Sequence, residues 1–449
     1  MKLRLTGLPA LTALHGLSSG LNLVFSLLQT IVFARVISSS HFASAVFLVS
    51  VGLYLLPFHQ IIARANFALF LEQTDQQSDG PRNDAALLFQ IGIFAAIAVS
   101  FLAPFISARS ASDYAALACL SLYINLSNPW VNELQTSYFM RGNGLKFASI
   151  SLVRRIIGLA ALLCLYFSYL NFNSFCYALA ILAIVFHYLA LAESDLGTAL
   201  PVLPNGADWP RLRRQFVRAG TAAQIIGAEW LTLTMPYPVF TALYGVGTSL
   251  VALDTGLKLV RVTLTVSRVL SEASITKMTQ ALSSLEPRSA RRVTKVLLAV
   301  SAAFAVPFAL LVLLDDRMIF SFLLGSNFAI PAGLGQPIAI AILGSVFFQI
   351  SIYFIGHFGD SSEMRETFVV SLVMSAMFAV CVLIARPSLP TAIWIFVSTF
   401  VVVGIAATLV FRRLLSSVGT RRRHDARLAH NQIEPADSGE SNVSLVSKD

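Results

Sequence analysis

Long apolar runs recur along the chain and are separated by short polar segments. Each run is close to or above the ~20 residues that an α-helix needs to cross a hydrocarbon core of about 30 Å. Since backbone amides cannot remain unpaired in lipid, we expect these runs to be helical. The pattern predicts twelve spans, at about 8–34, 43–70, 85–106, 114–140, 147–169, 172–192, 216–243, 246–270, 293–314, 330–355, 368–385 and 390–411. The predicted fold class is an all-α polytopic membrane protein.

Composition agrees with this pattern. Of 449 residues, 56% are hydrophobic and 12% are charged, and the mean hydropathy is +0.74. This excess of apolar residues is more than one soluble core needs, so the remainder must face lipid. The first run has full span length and lacks a clear cleavage site, so we expect it to remain as the first helix. The four cysteines and seven histidines show no zinc or redox spacing, and the sequence predicts no metal and no cofactor.

Lysine and arginine are distributed unevenly between the two sides of the predicted spans. With both termini in the cytoplasm, 24 of the 32 basic residues fall in or beside cytoplasmic segments, four on the other side and four inside spans. This bias is typical of cytoplasmic loops and predicts an inner-membrane protein with both termini inside. The net charge of +9 is thereby explained by topology and by anionic membrane lipids, and it does not indicate nucleic acid.

The halves of the chain are joined by a segment rich in proline and arginine. We predict an N-terminal six-helix lobe (1–192), a cytoplasmic linker (193–215), a C-terminal six-helix lobe (216–411) and a tail (412–449) that is first basic and then disordered. A second cytoplasmic segment, 272–292, is expected to form a short surface helix. A shift of 204 residues places Arg64 over Arg268, as in transporters built from repeats.

The eighth predicted span has a polar stripe on one face. Its members are spaced by three and four residues and are Asp254, Lys258, Arg261, Thr265, Arg268 and Glu272. Charges inside a membrane are costly and usually face a wet cavity or one another. The cations outnumber the acids in the buried part, which favours a cationic cavity wall. The alternative is internal pairing of Asp254 with Lys258, and of the arginines with Glu229 on the neighbouring span.

Two further spans carry polar groups. Arg64 in the second span is either a second cavity cation or a side chain that reaches the cytoplasmic surface. On the fourth span, Asn125, Asn128 and Asn132 lie on one stripe near Trp130. Amides beside aromatic rings suit sugar hydroxyls, but they equally suit hydrogen bonds between helices.

Two short segments resemble a known family. The residues 34–43 (ARVISSSHFA) resemble the ARLL…EEFG turn between the first two helices of Wzx-type flippases for lipid-linked oligosaccharides, with Ala43 where that family often has glycine. The residues 244–247 (YGVG) resemble the turn that opens its second half. These flippases belong to the multidrug/oligosaccharidyl-lipid/polysaccharide exporter superfamily, and their twelve spans in two lobes cover almost the whole chain in the same way.

The resemblance implies two lobes around a central cavity that opens alternately to either side. Its substrate would be a polyprenyl-diphosphate-linked oligosaccharide for cell-surface polysaccharide synthesis, held by Arg64, Lys258, Arg261 and Arg268. Glu229 or Asp254 would bind a coupling proton or sodium ion, or would only neutralise the arginines. A polysaccharide polymerase or export machinery is a further expected partner.

Two alternatives remain open. A multidrug or cation exporter of the same superfamily shares the architecture, although organic cations prefer an acidic cavity. An integral-membrane polymerase or glycosyltransferase would be an enzyme, and such enzymes usually carry catalytic groups on a large outer loop. The longest outer loop predicted is 315–329, with the acidic pair Asp315 and Asp316, so we predict a transporter and not an enzyme.

Overall fold

The protein is described here from a computed structural model, which covers residues 8–73, 80–108, 110–192, 194, 196, 209–284, 286–325, 328 and 333–433. Within these residues the regular structure is entirely helical, which confirms the predicted all-α fold class. The helices are α1 (Leu8–Val36), α2 (Ser39–Gln73), α3 (Gly80–Leu102), α4 (Ala111–Pro129), α5 (Gln135–Met140), α6 (Gly144–Tyr166), α7 (Phe172–Ala192), α8 (Trp209–Thr234), α9 (Pro236–Tyr244), α10 (Thr248–Ser283), α11 (Pro287–Leu314), α12 (Asp316–Leu324), α13 (Gly335–Phe358), α14 (Ser361–Ala385) and α15 (Leu389–Ile433).

Each of the twelve predicted spans corresponds to a helix or to two successive helices. Within the described residues, eight helices are long and apolar enough by length and composition to cross a membrane: α2, α3, α6, α7, α11, α13, α14 and α15. The other four predicted spans lie in α1, in α4 with α5, in α8 with α9, and in α10. Two of these helices, α4 and α10, carry the predicted polar stripes and are therefore less apolar. A helix that faces a lobe interior or a cavity needs less apolar surface than one that faces lipid.

Local sequence signals set several helix ends. Ser110 accepts a hydrogen bond from the backbone N–H of Asp113 at the start of α4, and Asp360 with Glu363 forms a capping box at the start of α14. Gly245 ends α9 with φ of 75° and Gly325 ends α12 with φ of 68°. Left-handed backbone of this kind is cheap only for glycine.

The fourth span is not one regular helix. After Pro129, residues Trp130–Leu134 form a π-helical turn before α5 begins. Proline has no N–H to continue the α-helical pattern, and a π-helical turn is an irregularity that often occurs at functional sites. Its consequence here is that Asn132 and Glu133 point in directions that a continuous helix would not give them.

The helices form two lobes, α1–α7 and α8–α15, that meet along α1 and α2 on one side and α8, α10 and α12 on the other. Large buried aromatic side chains fill both lobes, including Trp130 and Phe175 in the first and Phe348 and Phe400 in the second. Gly52 has no side chain, and this lets α2 approach α4 closely. A Cβ at this position would lie 2.6 Å from Cγ2 of Ile124. A bulkier residue would push these two helices apart.

Several predicted boundaries change. The linker ends earlier than expected, because α8 begins at Trp209, while 197–208 lie outside the described residues. The segment 272–292 holds no separate surface helix, since α10 runs to Ser283 and α11 starts at Pro287, where proline is favoured. The predicted tail from 412 begins inside α15, which continues to Ile433, and the expected disorder from 434 on lies outside the described residues.

Candidate functional site

A cavity of about 660 Å³ lies between the two lobes. It is nearer the ends of α2, α5, α10 and α13 that the charge distribution assigns to the cytoplasm, as Arg64, Met140, Arg268 and His357 show. Its polar lining residues come from both lobes and are Gln60, Arg64, Asn132, Gln135, Thr136, Glu229, Arg268, Gln349, Tyr353 and His357. The two lobes therefore enclose a central cavity, as the fold class predicted.

Two arginines from opposite lobes converge on this cavity. Arg64 comes from α2 of the first lobe and Arg268 from α10 of the second. These are the two positions that the shift of 204 residues superposes in the sequence. Nη1 of Arg268 lies 3.9 Å from Oε1 of Glu229, and its Nε donates to Oε1 of Glu272 at 3.3 Å. Arg64 interacts electrostatically with both Arg268 and Glu229. The side chain of Arg268 is 48% exposed, so it can reach a ligand.

Three other predicted site residues, all on α10, lie away from the cavity lining. Nζ of Lys258 lies 2.7 Å from Oδ2 of Asp254 and donates to Oγ1 of Thr30 on α1 at 2.8 Å. The Tyr237 hydroxyl donates to Oδ1 of Asp254 at 2.7 Å, and the Arg261 guanidinium lies 5.6 Å from the centre of the Tyr237 ring. The structure therefore places Lys258, Arg261 and Asp254 in a paired network and does not bring them to the cavity, because Asp254 is fully buried and needs these donors.

Of the three asparagines on the fourth span, one reaches the cavity. The buried Asn125 donates to Oγ of Ser100 at 3.0 Å, and Asn128 donates to the carbonyl of Gly52 at 2.7 Å. These two amides hold helices together within the first lobe and are not positioned for sugar contacts. Asn132 lines the cavity, since the π-helical turn shifts its direction.

The side of the protein opposite the cavity is closed by contacts between the lobes. Nη2 of Arg35 donates to the carbonyl of Phe322 at 2.8 Å, and the Phe42 and Phe328 rings meet edge to face with centroids 5.5 Å apart. Deeper in the protein, Nε1 of Trp230 donates to the carbonyl of Leu53 at 3.0 Å. Among the described residues, these contacts hold the lobes together on the side opposite the cavity.

Sequence reasoning missed part of the site. Nδ1 of His59 lies 2.7 Å from Oε1 of Glu133, and both side chains have zero exposure. The pair lies just behind the cavity wall, because the neighbouring residues Gln60 and Asn132 line it. Gln349, Tyr353 and His357 on α13 also line the cavity, and their spacing of four residues was the available signal for them. Pro129 was the available signal for Glu133, because it predicts a break in the helix at that point.

The acidic pair Asp315 and Asp316, which the charge distribution predicts to be on the outer side, has structural roles. Oδ1 of Asp315 accepts from the backbone N–H of Met318 and caps α12, and Oδ2 of Asp316 accepts from the N–H of Gly335. These bonds give each carboxylate a structural role. Among the described residues no group of three or more metal-ligating side chains occurs.

The fold has solved relatives. A multidrug resistance MATE family transporter of the MOP superfamily, in an inward-facing conformation, aligns with a TM-score of 0.62 and 10% identity over 88% of this chain and 95% of that one. An outward-facing structure of such a transporter gives a TM-score of 0.56 and 12% identity over 91% and 95%. The lipid II flippase MurJ, in an inward closed conformation, gives 0.56 and 12% over 93% and 92%. No family model matches the sequence, and no curated protein matches it.

These similarities define the class. The chain is a multi-pass membrane protein with the fold that MATE transporters and the lipid II flippase MurJ share. At 10 to 12% identity the likeness concerns the fold alone, and the substrate has to be inferred from the cavity.

Proposed function

We propose that this protein is a flippase that moves a polyprenyl-diphosphate-linked oligosaccharide across the cytoplasmic membrane by alternating access, for cell-surface polysaccharide synthesis. The observation that carries this proposal is the convergence of Arg64 and Arg268 from opposite lobes on one cavity. A diphosphate bound between them would contact both lobes at once. The substrate would thereby offset the repulsion between the two guanidinium groups and favour closure of the lobes around it.

The charge balance of the cavity fits an anion. The described lining residues include two arginines and one carboxylate, Glu229, which Arg64 and Arg268 share. An anionic ligand can replace this shared carboxylate with better geometry, since a guanidinium donates two parallel hydrogen bonds to a phosphate.

The rest of the wall fits a sugar. Gln60, Asn132 and Gln135 from the first lobe and Gln349 from the second present amides, and Tyr353 presents a ring with a hydroxyl. Amides can donate to and accept from sugar hydroxyls, and an aromatic face can pack against a sugar ring. These groups lie in the same cavity as the arginines. A diphosphate joined directly to a sugar requires this arrangement, because both parts of the ligand must be bound together.

A multidrug or cation exporter is the second candidate. Glu229 offers a carboxylate to a cation, and about 660 Å³ is within the usual range of roughly 300–1,000 Å³ for sites that bind drug-sized ligands. The two candidates differ in the sign of the substrate charge. The orientation with both termini in the cytoplasm, a driving proton or sodium ion and a partner polymerase are further parts of the proposal.

The test is transport by the purified full-length protein in liposomes. A fluorescent polyprenyl-diphosphate disaccharide and a fluorescent organic cation are offered separately. We expect flipping of the first and no movement of the second. Arg64→Ala and Arg268→Ala should each weaken binding about tenfold to a hundredfold, because a hydrogen bond to a charged group contributes about 1.5–3 kcal/mol.

Arg413→Ala is the matched control. Arg413 pairs with Glu366 on an exposed surface away from the cavity, so its loss should leave flipping unchanged. Movement of the cation and not of the diphosphate would replace the proposal with the exporter.

A further inference from the structure

The pair formed by His59 and Glu133 has unusual surroundings for a structural contact. His59 lies on α2 and Glu133 in the π-helical turn, and neither side chain is exposed. Within the described part of the chain, Nε2 of His59 and Oε2 of Glu133 have no hydrogen-bond partner. Buried polar atoms without partners are rare and costly, and such pairs often have a functional role.

The helix α3 packs closely against this pair at Gly92. A Cβ added to Gly92 on α3 would lie 3.0 Å from Cε1 of His59 and 3.3 Å from Oε1 of Glu133. The space therefore admits the two side chains in contact and little else.

The number of protons on the pair determines its charge. At 2.7 Å, Nδ1 and Oε1 must share a hydrogen, because two lone pairs at that distance repel each other. With that proton alone the pair is a buried anion. A second proton, placed on Nε2 or on Oε2, makes the pair neutral overall, and these are the two atoms without partners.

Charged and titratable groups on the packed helices face this region. Trp130, three residues before Glu133, stacks 4.8 Å from the Arg154 guanidinium and 5.4 Å from the His187 ring. His187 interacts electrostatically with both Arg154 and His59. Arg155, next to Arg154 on α6, interacts electrostatically with Arg154. Arg64 on α2 and Glu229 on α8 face the cavity, and α3 presents Gly92 to the pair. The cations can stabilise the anionic state of the pair, so both states are accessible.

We propose that His59 and Glu133 form a proton-binding site that is coupled to the cavity through the π-helical turn. Gln60 and Asn132, the residues next to the pair, line the cavity, so a change in the charge of the pair acts directly on the cavity wall. The proposed proton site depends only on the geometry of the pair. The direction of its coupling rests on the proposed function, because an anionic ligand at Arg64 and Arg268 favours the neutral, protonated pair and should move its titration to higher pH.

Trp130 supplies a local reporter. Replacing Trp209, Trp230 and Trp394 with phenylalanine leaves Trp130 as the one tryptophan of the four in the chain. Its indole is buried and lies 5.4 Å from the His187 ring, which interacts electrostatically with His59. The reporter protein is purified in lipid nanodiscs, and its emission is titrated with pH in sodium and in potassium buffers. We expect a transition that involves one proton and is the same in both salts.

Three variants of the reporter assign the transition. Glu133→Gln imitates the protonated acid and should abolish it, since His59 alone would have to carry an unpaired buried charge. His59→Gln should shift its midpoint. Glu366→Gln, a change at an exposed carboxylate that pairs with Arg413, should leave it unchanged. If neither buried variant folds, infrared spectra of the reporter with isotope-labelled histidine and glutamate follow the same titration directly.

Some results would overturn the site. These are a reporter without a transition, a transition that follows sodium at constant pH, an unchanged midpoint in both buried variants, or infrared bands that do not titrate.

Inorganic diphosphate then tests the coupling between the pair and the cavity. We expect it to shift the midpoint of the transition to higher pH, and we expect Arg64→Ala to remove this shift. If the transition is present but diphosphate does not shift its midpoint, the coupling and the anionic substrate are contradicted. The proton site itself is not contradicted by that result. A lost transition in a protein that still flips the diphosphate substrate contradicts the proton site alone.

Discussion

Lys258 on α10 donates a hydrogen bond of 2.8 Å to Oγ1 of Thr30 on α1, and so links the two lobes through a charged side chain. Asp254 holds the same ammonium group at 2.7 Å from the other direction. The bond lies on the side of the cavity where the lobes are closed. Opening of that side requires α1 to move away from α10, and Lys258 then loses one of its two partners.

Removal of this bond should make the closed side easier to open. Thr30→Val keeps the shape of the side chain but cannot accept from Lys258, at an expected cost of about 1.5–3 kcal/mol to the closed state. A cysteine introduced at Phe42, which packs against Phe328 between the lobes, should then react faster with an impermeant thiol reagent. Thr399→Val is the control, because the Thr399 hydroxyl bonds to Ile395 of its own helix. Equal rates in the two valine variants would contradict the role of Lys258.

Glu229→Gln should have opposite effects on the two candidate functions. The Glu229 carboxylate partly neutralises Arg64 and Arg268, and the pair with Arg268 is half-exposed and long at 3.9 Å. Such pairs are worth up to about 1 kcal/mol, so its removal should strengthen binding of an anionic substrate severalfold. A cationic substrate would instead bind more weakly. The measurement is a binding isotherm for each ligand with the wild-type and variant proteins.

Tyr237→Phe should lower the stability of the protein without removing transport. The Tyr237 hydroxyl is buried and donates to Asp254, and an unsatisfied buried carboxylate oxygen costs about 1–3 kcal/mol. Arg261→Ala should have a smaller effect on stability, since the cation–π contact with Tyr237 contributes about 0.5–2 kcal/mol. Thermal unfolding and transport per folded molecule are measured together. Lost transport in a stable Arg261→Ala protein would restore the cavity role that the sequence predicted for Arg261.

The membrane orientation can be tested by labelling. In a protein whose native cysteines are replaced by serine, Met318→Cys on the exposed face of α12 should react with an impermeant thiol reagent added to intact cells. A cysteine at position 205 in the linker should react only after the cells are opened. The expectation follows from the uneven distribution of lysine and arginine. Labelling in the reverse order would show that the orientation in the membrane is opposite to the predicted one.

The sequence predicted most of the spans well because eight of the described helices are long and apolar, and lipid imposes one solution on such segments. It located Arg64 and Arg268 for a related reason: a charge in an apolar run has few acceptable surroundings. It could not separate them from Lys258 and Arg261. All four have suitable spacing, and what distinguishes them is the position of Asp254 and Tyr237 relative to the cavity, which depends on how α9 packs against α10.

The fourth span shows a second limit. Asn125, Asn128 and Asn132 form one stripe on a regular helix, yet the structure sends the first two into the lobe and the third into the cavity. The π-helical turn after Pro129 changes the direction of the helix face between them. Sequence periodicity assumes a constant 3.6 residues per turn, so it fails where the helix departs from that value.

The length of α10 gives it a mechanical property. With 36 residues it is about 54 Å long, well beyond a hydrocarbon core of about 30 Å, so it extends past the membrane on one side. Measured from Lys258, where it touches α1, Arg268 lies about 15 Å along the axis and Gln280 about 33 Å. A rotation of the lobe about that contact would move Gln280 roughly twice as far as Arg268. In such a rotation α10 would act as a lever arm that roughly doubles a displacement at Arg268 by the time it reaches Gln280.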